Sequence, residues 1–392
     1  MYKMHIVIFY KRYKVIMDQN SNYEIQFPTS TVAQMRLCIF DPITYRPDSN
    51  KKEYYHQIKK NDYGRVELSV VRLTQVHAIV LETIFNHYLF KTCLSEQGCA
   101  LARAQFETAT LLKQLGWHNS SKHYTLLNEI LNDLNTAHVK YFPKCPSEKL
   151  DYEDFIDFSI LVGHKMRSYT KTNNQLHEIL VSPYFLELLE QDTWVRYPQL
   201  TIKIGKINNG IIQSIVRFLL SQSLNLHTSY EGSKVLGWKG TLDKLLELMC
   251  VTTKHINSST GNLYTSALIS KVKRELKPIY DPKQDAWVPS ELTNYLDDNF
   301  GIKLTWTTAR NCNVEYNKTK FEKNFKLGLP VKFTNAKNTN IHNFVSNMKA
   351  MEKTASKIEE PKKEKPKLQR REIRIRSKEE LKPDNSIYDE FD

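Results

Sequence analysis

Apolar residues recur at helical spacing in two separated groups, and the order of elements around them is the same in both. In the first, residues 73–90 put Val76, Ile79, Val80, Ile84, Tyr88 and Leu89 on one stripe, the period of a core-facing helix. Residues 103–116 predict a second helix with Phe106, Leu111, Leu112 and Leu115 inward and Gly116 as its stop, since glycine enters the left-handed region at little cost. After Trp117, His118 and Asn119, Ser120 or Ser121 is placed to cap a third helix carrying Tyr124, Leu127, Ile130, Leu131 and Leu134. The period then shortens. Residues 155–168 are apolar and β-forming, 169–174 form a polar turn, and 175–181 return as a second strand. Two helices joined by a tight turn and followed by a β-hairpin make the winged form of the helix-turn-helix.

The second group repeats that order. A helix over 208–221 (Ile211, Ile212, Ile215, Val216, Leu219, Leu220) precedes one over 241–251 (Leu242, Leu245, Leu246, Leu248, Met249). A polar turn ends in Ser258 and Ser259, and a third helix is expected over 261–277 with Tyr264, Leu268, Ile269, Val272 and Leu276 inward. Trp287–Val288 and Ile302–Leu304–Trp306 are the expected wing strands. Leu236–Gly237–Trp238 repeats Leu115–Gly116–Trp117, but the helix order outranks the tripeptide, which is read as a decoy. The expected fold is therefore α+β: two tandem winged-helix domains, 61–190 and 191–340. An irregular basic arm, 1–60, broken by Pro28, Pro42 and Pro47, precedes them, and a disordered Lys/Glu-rich tail, 341–392, follows. Met4 and Met17 offer alternative starts, and the stretch before Met17 has neither amphipathic order nor turn chemistry.

Side chains 100° apart on each third helix divide into an inner and an outer face. In the second copy the outer face holds Ser266, Ser270, Lys271, Lys273 and Arg274, with Ser258, Ser259, Thr260 and Asn262 about its N-terminus. In the first it holds Ser121, Lys122, Thr125, Asn128, Glu129 and Asn132, and the wing adds Lys165, Arg167 and Lys171. Small hydroxyl residues let a helix sink into a major groove, Arg and Lys reach guanine edges or phosphates, and Asn pairs with adenine. The second face is cationic and suits base reading; the first is mixed in charge and suits phosphate contacts or a few base contacts. Any amphipathic surface helix also turns polar residues outward, so it is the tandem arrangement that favours DNA recognition.

Charge agrees in its distribution more than in its size. The 392 residues carry 56 Lys+Arg against 43 Asp+Glu, a net +13, yet residues 1–16 hold four basic and no acidic residues and 310–349 eight basic against two acidic. The body between is close to neutral, so any polyanion is met by local patches. The six cysteines form no C-x-x-C pair, which argues against a disulfide framework or a zinc site. No apolar run approaches the ~18 residues of a membrane span, so a cytoplasmic protein without membrane contact is expected. Enzyme motifs are missing: there is no phosphate-binding G-x-x-x-x-G-K-[ST], no H-E-x-x-H and no paired histidines of the nicking-nuclease kind. The acidic residues Glu148, Asp151, Glu153, Asp154 and Asp157 read as a solvated linker, and the five tryptophans as core or hinge aromatics with a capacity to stack on a base. No cofactor, metal or catalytic residue is expected.

The stretch FETATLLKQLGWHNSSKHYTLLNEILNDLNTA, 106–137, resembles in order and spacing the second and third helices of the TrfA-type plasmid replication initiators. LELMC at 246–250, KREL at 273–276 and AWV at 286–288 resemble their second winged-helix domain. The resemblance covers roughly 36–310, and the insertion carrying Leu236–Gly237–Trp238 departs from the family's pattern. It implies an initiator that binds direct repeats (iterons) at a plasmid origin, promotes melting of A·T-rich DNA and recruits the host's DnaA, replicative helicase and sliding clamp, with no covalent chemistry. It also implies inactive homodimers in equilibrium with active monomers. The alternatives are a transcriptional repressor built on the same double winged helix and a protein-binding scaffold without DNA affinity.

Overall fold

A largely apolar helix surrounded by other elements gives no face to water, and its few polar side chains must find partners inside; two such helices, Gln75–His87 and Gly210–Ser221, occupy the centre of the molecule. Only Val76 and His87 of the first escape full burial, and every residue of the second is buried. The computed structural model describes residues 24–25, 27–43, 55–94, 100–143, 155–169, 174–191, 194–223, 225–229, 232–251, 256–257, 261–262, 266–308, 310–318 and 326–328, all within one compact unit.

In chain order the elements are β1 (Glu24–Ile25), β2 (Ser30–Thr31), α1 (Val32–Arg36), β3 (Tyr55–Asn61), β4 (Gly64–Val70) and the first central helix α2 (Gln75–His87). Next come β5 (Phe90–Leu94), β6 (Ala100–Glu107), α3 (Thr108–Leu115), α4 (Ser121–Thr136), β7 (His138–Pro143), β8 (Ile156–Phe158), β9 (Leu161–Tyr169), β10 (Asn174–Val181) and α5 (Pro183–Gln191). After β11 (Trp194–Arg196) and α6 (Pro198–Gly205) lies the second central helix, α7 (Gly210–Ser221). The chain continues through β12 (Leu226–Thr228), β13 (Lys234–Thr241), α8 (Leu242–Leu248), β14 (Ile256–Asn257), β15 (Gly261–Asn262) and α9 (Ser266–Leu276). It ends in β16 (Ile279–Asp281), β17 (Ala286–Val288), α10 (Glu291–Phe300), β18 (Ile302–Trp306), β19 (Cys312–Asn317) and β20 (Lys326–Gly328). The fold is α+β.

One connection pattern occurs twice. Strand β6 runs without a loop into α3, and the later strand β10 returns to pair with it, with β9 outside: β6-β10-β9. Likewise β13 runs directly into α8, and β19 returns beside it with β18 outside: β13-β19-β18. A separate sheet, β3-β4-β7-β8, a small one, β2-β11-β20, and the two-stranded hairpins β14-β15 and β16-β17 complete the sheets among the described residues.

Several expectations are corrected. Residues 27–43, expected within an irregular arm, are almost wholly buried, with Phe27, Leu37 and Ile39 at most 1% exposed, and 55–61 is a sheet strand. Prolines there interrupt regular structure without preventing burial of so many apolar residues. Asp41, also in that segment, is buried with Lys59 and Arg72 each 2.6 Å away. Burial alone would raise its carboxyl pKa, but those two cations hold it below the usual range. Residues 103–107, expected as helix, belong to β6. Trp287–Val288 pairs with Ile279–Tyr280 rather than with β18, whose partner is β19. The tail 341–392 lies outside the described residues, as do Glu148, Asp151, Glu153 and Asp154. Among the described residues no helix is long and apolar enough to cross a membrane. Cys38, Cys250 and Cys312 are buried free thiols, and burial pushes Cys38 and Cys312 up to about 12.

Candidate nucleic-acid interface

The turn between α3 and α4 is built from local chemistry. Gly116 takes a left-handed φ of 71° and ends α3, and the Trp117 amide donates to Leu112 O at 2.8 Å, closing the last turn as a glycine cap does. Ser120 caps α4, accepting from the His123 amide at 3.4 Å, while His123 Nδ1 lies 2.8 Å from His118 O. Inward, Leu127, Ile130, Leu131 and Leu134 are all fully buried. Asp133, also inward, meets His77 Nε2 of α2 at 3.0 Å, and His77 Nδ1 accepts from the Thr74 amide. The inner face of α4 is thus pinned both by packing and by a buried polar contact.

Outward, Ser121, Lys122 and Thr125 are exposed, and the Thr125 hydroxyl donates back to Ser121 O. Asn128 is placed differently. Half-buried, it donates from Nδ2 to Gln175 Oε1 of β10 at 3.2 Å, so it joins α4 to the turn end of the β9–β10 hairpin, where Gln175 pairs with Ser168. Lys165 and Arg167 are exposed on β9, opposite Glu178 and Leu176. Strand alternation turns them to the sheet face away from α4, because their neighbour His164 is the residue that reaches that helix. Lys171 lies outside the described residues.

That neighbour belongs to a chain the dispersed histidines of the sequence did not announce. His164 Nδ1 lies 3.0 Å from Asn132 Oδ1 of α4, His164 Nε2 lies 2.9 Å from His177 Nδ1 of β10, and His177 Nε2 lies 2.7 Å from Thr108 Oγ1 of α3. One proton arrangement satisfies every link: Thr108 donates to His177, His177 to His164, and His164 to Asn132. The only sequence signal for it is that both histidines fall on inward positions of a predicted hairpin. Burial, and then the neighbouring His164, lowers His177 to about 4, and burial lowers His164 as well.

An unfolded histidine binds its proton near pH ~6.5. Between that value and about 4 the unfolded chain therefore holds a proton that the folded His177 refuses. Stability from this site is complete above the window and falls as pH drops through it. Replacing His177 by Gln is expected to flatten the fall of the urea midpoint between pH 6.5 and 4, whatever it does to stability at neutral pH. An unaltered slope would remove His177 as its source.

In the second copy α9 begins at Ser266, five residues later than expected. Gly261 and Asn262 pair with Asn257 and Ile256 in a short hairpin, consistent with their poor helix propensity and turn preference. Asn262 is therefore a strand residue, and Ser258, Ser259 and Thr260 lie outside the described residues. Val272 and Leu276 are buried, whereas Leu268, expected inward, is 37% exposed, since it sits on the flank of a narrow contact stripe. Ser266, Ser270, Lys271 and Arg274 are exposed. Lys273 is half-buried and bound to Asp243 of α8 at 2.6 Å, and Lys271 approaches Glu275 at 3.9 Å. Arg274 has the clearest outward position among the cations of α9.

No protein-family model matches the chain, and no curated protein matches it. Among solved structures it is similar to a crystal structure of domains 2 and 3 of RctB, as the selenomethionine derivative, over 75% of this chain and 99% of that one, at 12% identity and a TM-score of 0.43. A second crystal structure of RctB domains 2–3 is similar over 69% of this chain and 94% of that one, at 12% identity and a TM-score of 0.37.

Proposed function

We infer that the chain is a DNA-replication initiator of the TrfA type. In this reading it binds direct repeats at a plasmid origin through two winged-helix domains, promotes opening of adjacent DNA and recruits host replication proteins. The observation that carries it is the repeated order: a strand running into a helix, a further helix and, after intervening elements, a hairpin whose last strand returns beside the first. These are β6, α3, α4, β9 and β10 in one case (β7 and β8 intervening) and β13, α8, α9, β18 and β19 in the other (β14–β17 and α10 intervening). In each copy the helix after the turn points polar side chains outward, and in the second these include Lys271 and Arg274. Two readers in one compact unit suit a repeat read across successive turns of duplex, because joining them raises the effective concentration of the second. Nothing in this role needs a catalytic residue, and the chain is not an enzyme in this reading.

The test is a mobility shift of the full chain on DNA flanking its own gene, across a salt series with unrelated DNA as competitor. Stepwise complexes that survive competition and match the number of tandem direct repeats support an initiator. Binding to a single inverted repeat would make it a repressor instead. Arg274→Ala and Lys271→Ala should each weaken binding by about 1–3 kcal/mol where the residue touches a base, or lower the salt slope by about one unit where it touches phosphate. Lys273→Ala should do less, because Asp243 already holds that cation. Unchanged affinity and slope in both of the first two variants would sink the assignment of α9 as the reading helix.

A further inference from the structure

We propose that the β16–β17 hairpin is a stacking platform for an unpaired nucleic-acid base, with Trp287 and Tyr280 as its surface. The inference rests on the DNA-binding reading above and adds to it a site for opened strands. Trp287 keeps 72% of its surface in solvent and Tyr280 45%. The remaining tryptophans are half-buried, and one of them, Trp306, donates its indole N–H to Leu276 O at 2.9 Å. Register sets Tyr280 directly opposite Trp287, hence on the same face, with ring centroids 5.7 Å apart and the planes at 65°. An aromatic pair serving only to hold two strands together would bury its rings. Here most of the indole is left for something else.

The hairpin is also held in place. The Tyr280 hydroxyl donates to the Asp285 carboxylate, and Asp281 Oδ1 accepts from the Lys283 amide at 2.9 Å. At its base the last carbonyls of α9 are taken by side chains from beyond the hairpin. Ser290 donates to Glu275 O at 3.0 Å, and Thr293 and Trp306 donate to Leu276 O at 3.1 and 2.9 Å. Only Lys277 and Pro278 separate α9 from β16. The exposed aromatic pair therefore projects from the end of the helix that presents Lys271 and Arg274, and Lys283 at the hairpin tip is exposed as well.

Flat π surface beside cations matches a strand that offers bases and phosphates together. A base inside a duplex is already stacked on both sides, so the occupant is an unpaired base. The hairpin's two carboxylates, Asp281 and Asp285, are each engaged by a donor within the hairpin.

The test uses the full chain, a labelled oligothymidylate and a duplex of equal length, each titrated across a salt series. Trp287→Ala should weaken single-strand binding roughly 5- to 150-fold, the range for loss of one stacked base. It should leave the salt slope unaltered, because an indole carries no charge, and should barely change duplex affinity. Trp287→Phe should retain most of the single-strand binding. Single-strand binding that persists undiminished in Trp287→Ala would overturn the proposal while leaving the DNA-binding reading intact. The same holds if that variant loses only self-association in sedimentation. Failure of the wild-type chain to bind either oligonucleotide would bring down both.

Discussion

Replacing Arg217 by Ala should destabilise the protein by about 3–5 kcal/mol, the cost of leaving one partner of a buried ion pair uncompensated. Arg217 is 5% exposed and Glu82 4%. The guanidinium holds the carboxylate with two donors, Nε at 2.7 Å and Nη2 at 2.8 Å, while Nη1 reaches Gln75 Oε1 at 2.6 Å. The fully buried Tyr197 hydroxyl donates to the same carboxylate at 2.8 Å. Burial alone would lower the pKa of Arg217, but Glu82 reverses that and raises it; burial and then Glu82 raise Tyr197 well above its ordinary value. Arg217 therefore stays a cation and Tyr197 a neutral phenol that can donate.

This network joins the two central helices, α2 and α7, and Gln75 Nε2 extends it to Phe40 O and Asp41 O at 2.9 and 3.1 Å. Its loss therefore loosens the N-terminal segment as well as the two central helices. Equilibrium urea denaturation should show that Arg217→Ala and Glu82→Ala are far from additive, since the second removes the orphan charge created by the first. Arg217→Met combined with Glu82→Leu, which fills the space without charge, should recover much of the loss. A single-variant cost below about 1 kcal/mol, additive with Glu82→Ala, would show that the pair contributes little.

Helices whose apolar stripes are long and well capped were legible from the chain alone. The structure places them at Gln75–His87, Ser121–Thr136 and Gly210–Ser221, close to the stripes, with Ser120 and Gly116 in the capping roles their chemistry predicts. The β9–β10 hairpin was readable from its switch to β-forming apolar residues, but the single first strand expected over 155–168 is divided: Ile156–Phe158 pairs with β7 in another sheet, and β9 begins only at Leu161. Strand β6 was not. In its sequence ALARAQFE, Ala102, Ala104 and Phe106 are buried and alternate with exposed Arg103, Gln105 and Glu107, but Ala, Arg and Gln are strong helix formers that mask the period of two. The sheet β3-β4-β7-β8 was missed because β4 and β7 are far apart in sequence, and a long-range pairing leaves no local trace. Of the interface, the outward residues of α9 and α4 could be read from helical phase. What they touch could not, because Asn128 meets Gln175 and Lys273 meets Asp243 only once the tertiary fold brings them together.

The repeated tripeptide leads to the other large effect. Leu115–Gly116–Trp117 ends a helix, whereas Leu236–Gly237–Trp238 lies within strand β13, and the two glycines are needed for different reasons. Gly116 sits at φ 71° with no atom within 4 Å of the position a Cβ would occupy, so Gly116→Ala meets only backbone strain, about 1–2 kcal/mol. Gly237 has φ 150°, and a Cβ there would come 1.9 Å from the backbone oxygen of Tyr316, a residue 1% exposed whose hydroxyl bonds Ser223 Oγ at 2.8 Å. A backbone carbonyl in a paired strand cannot swing aside as a flexible side chain does. The β13–β19 ladder must open locally for Gly237→Ala to be accommodated, and the expected cost exceeds about 4 kcal/mol. Side by side in thermal denaturation, Gly116→Ala should melt a few degrees below the parent, and Gly237→Ala far below it or without a cooperative transition. Similar melting temperatures for the two variants would show that β13 and β19 do not approach as closely as the register requires.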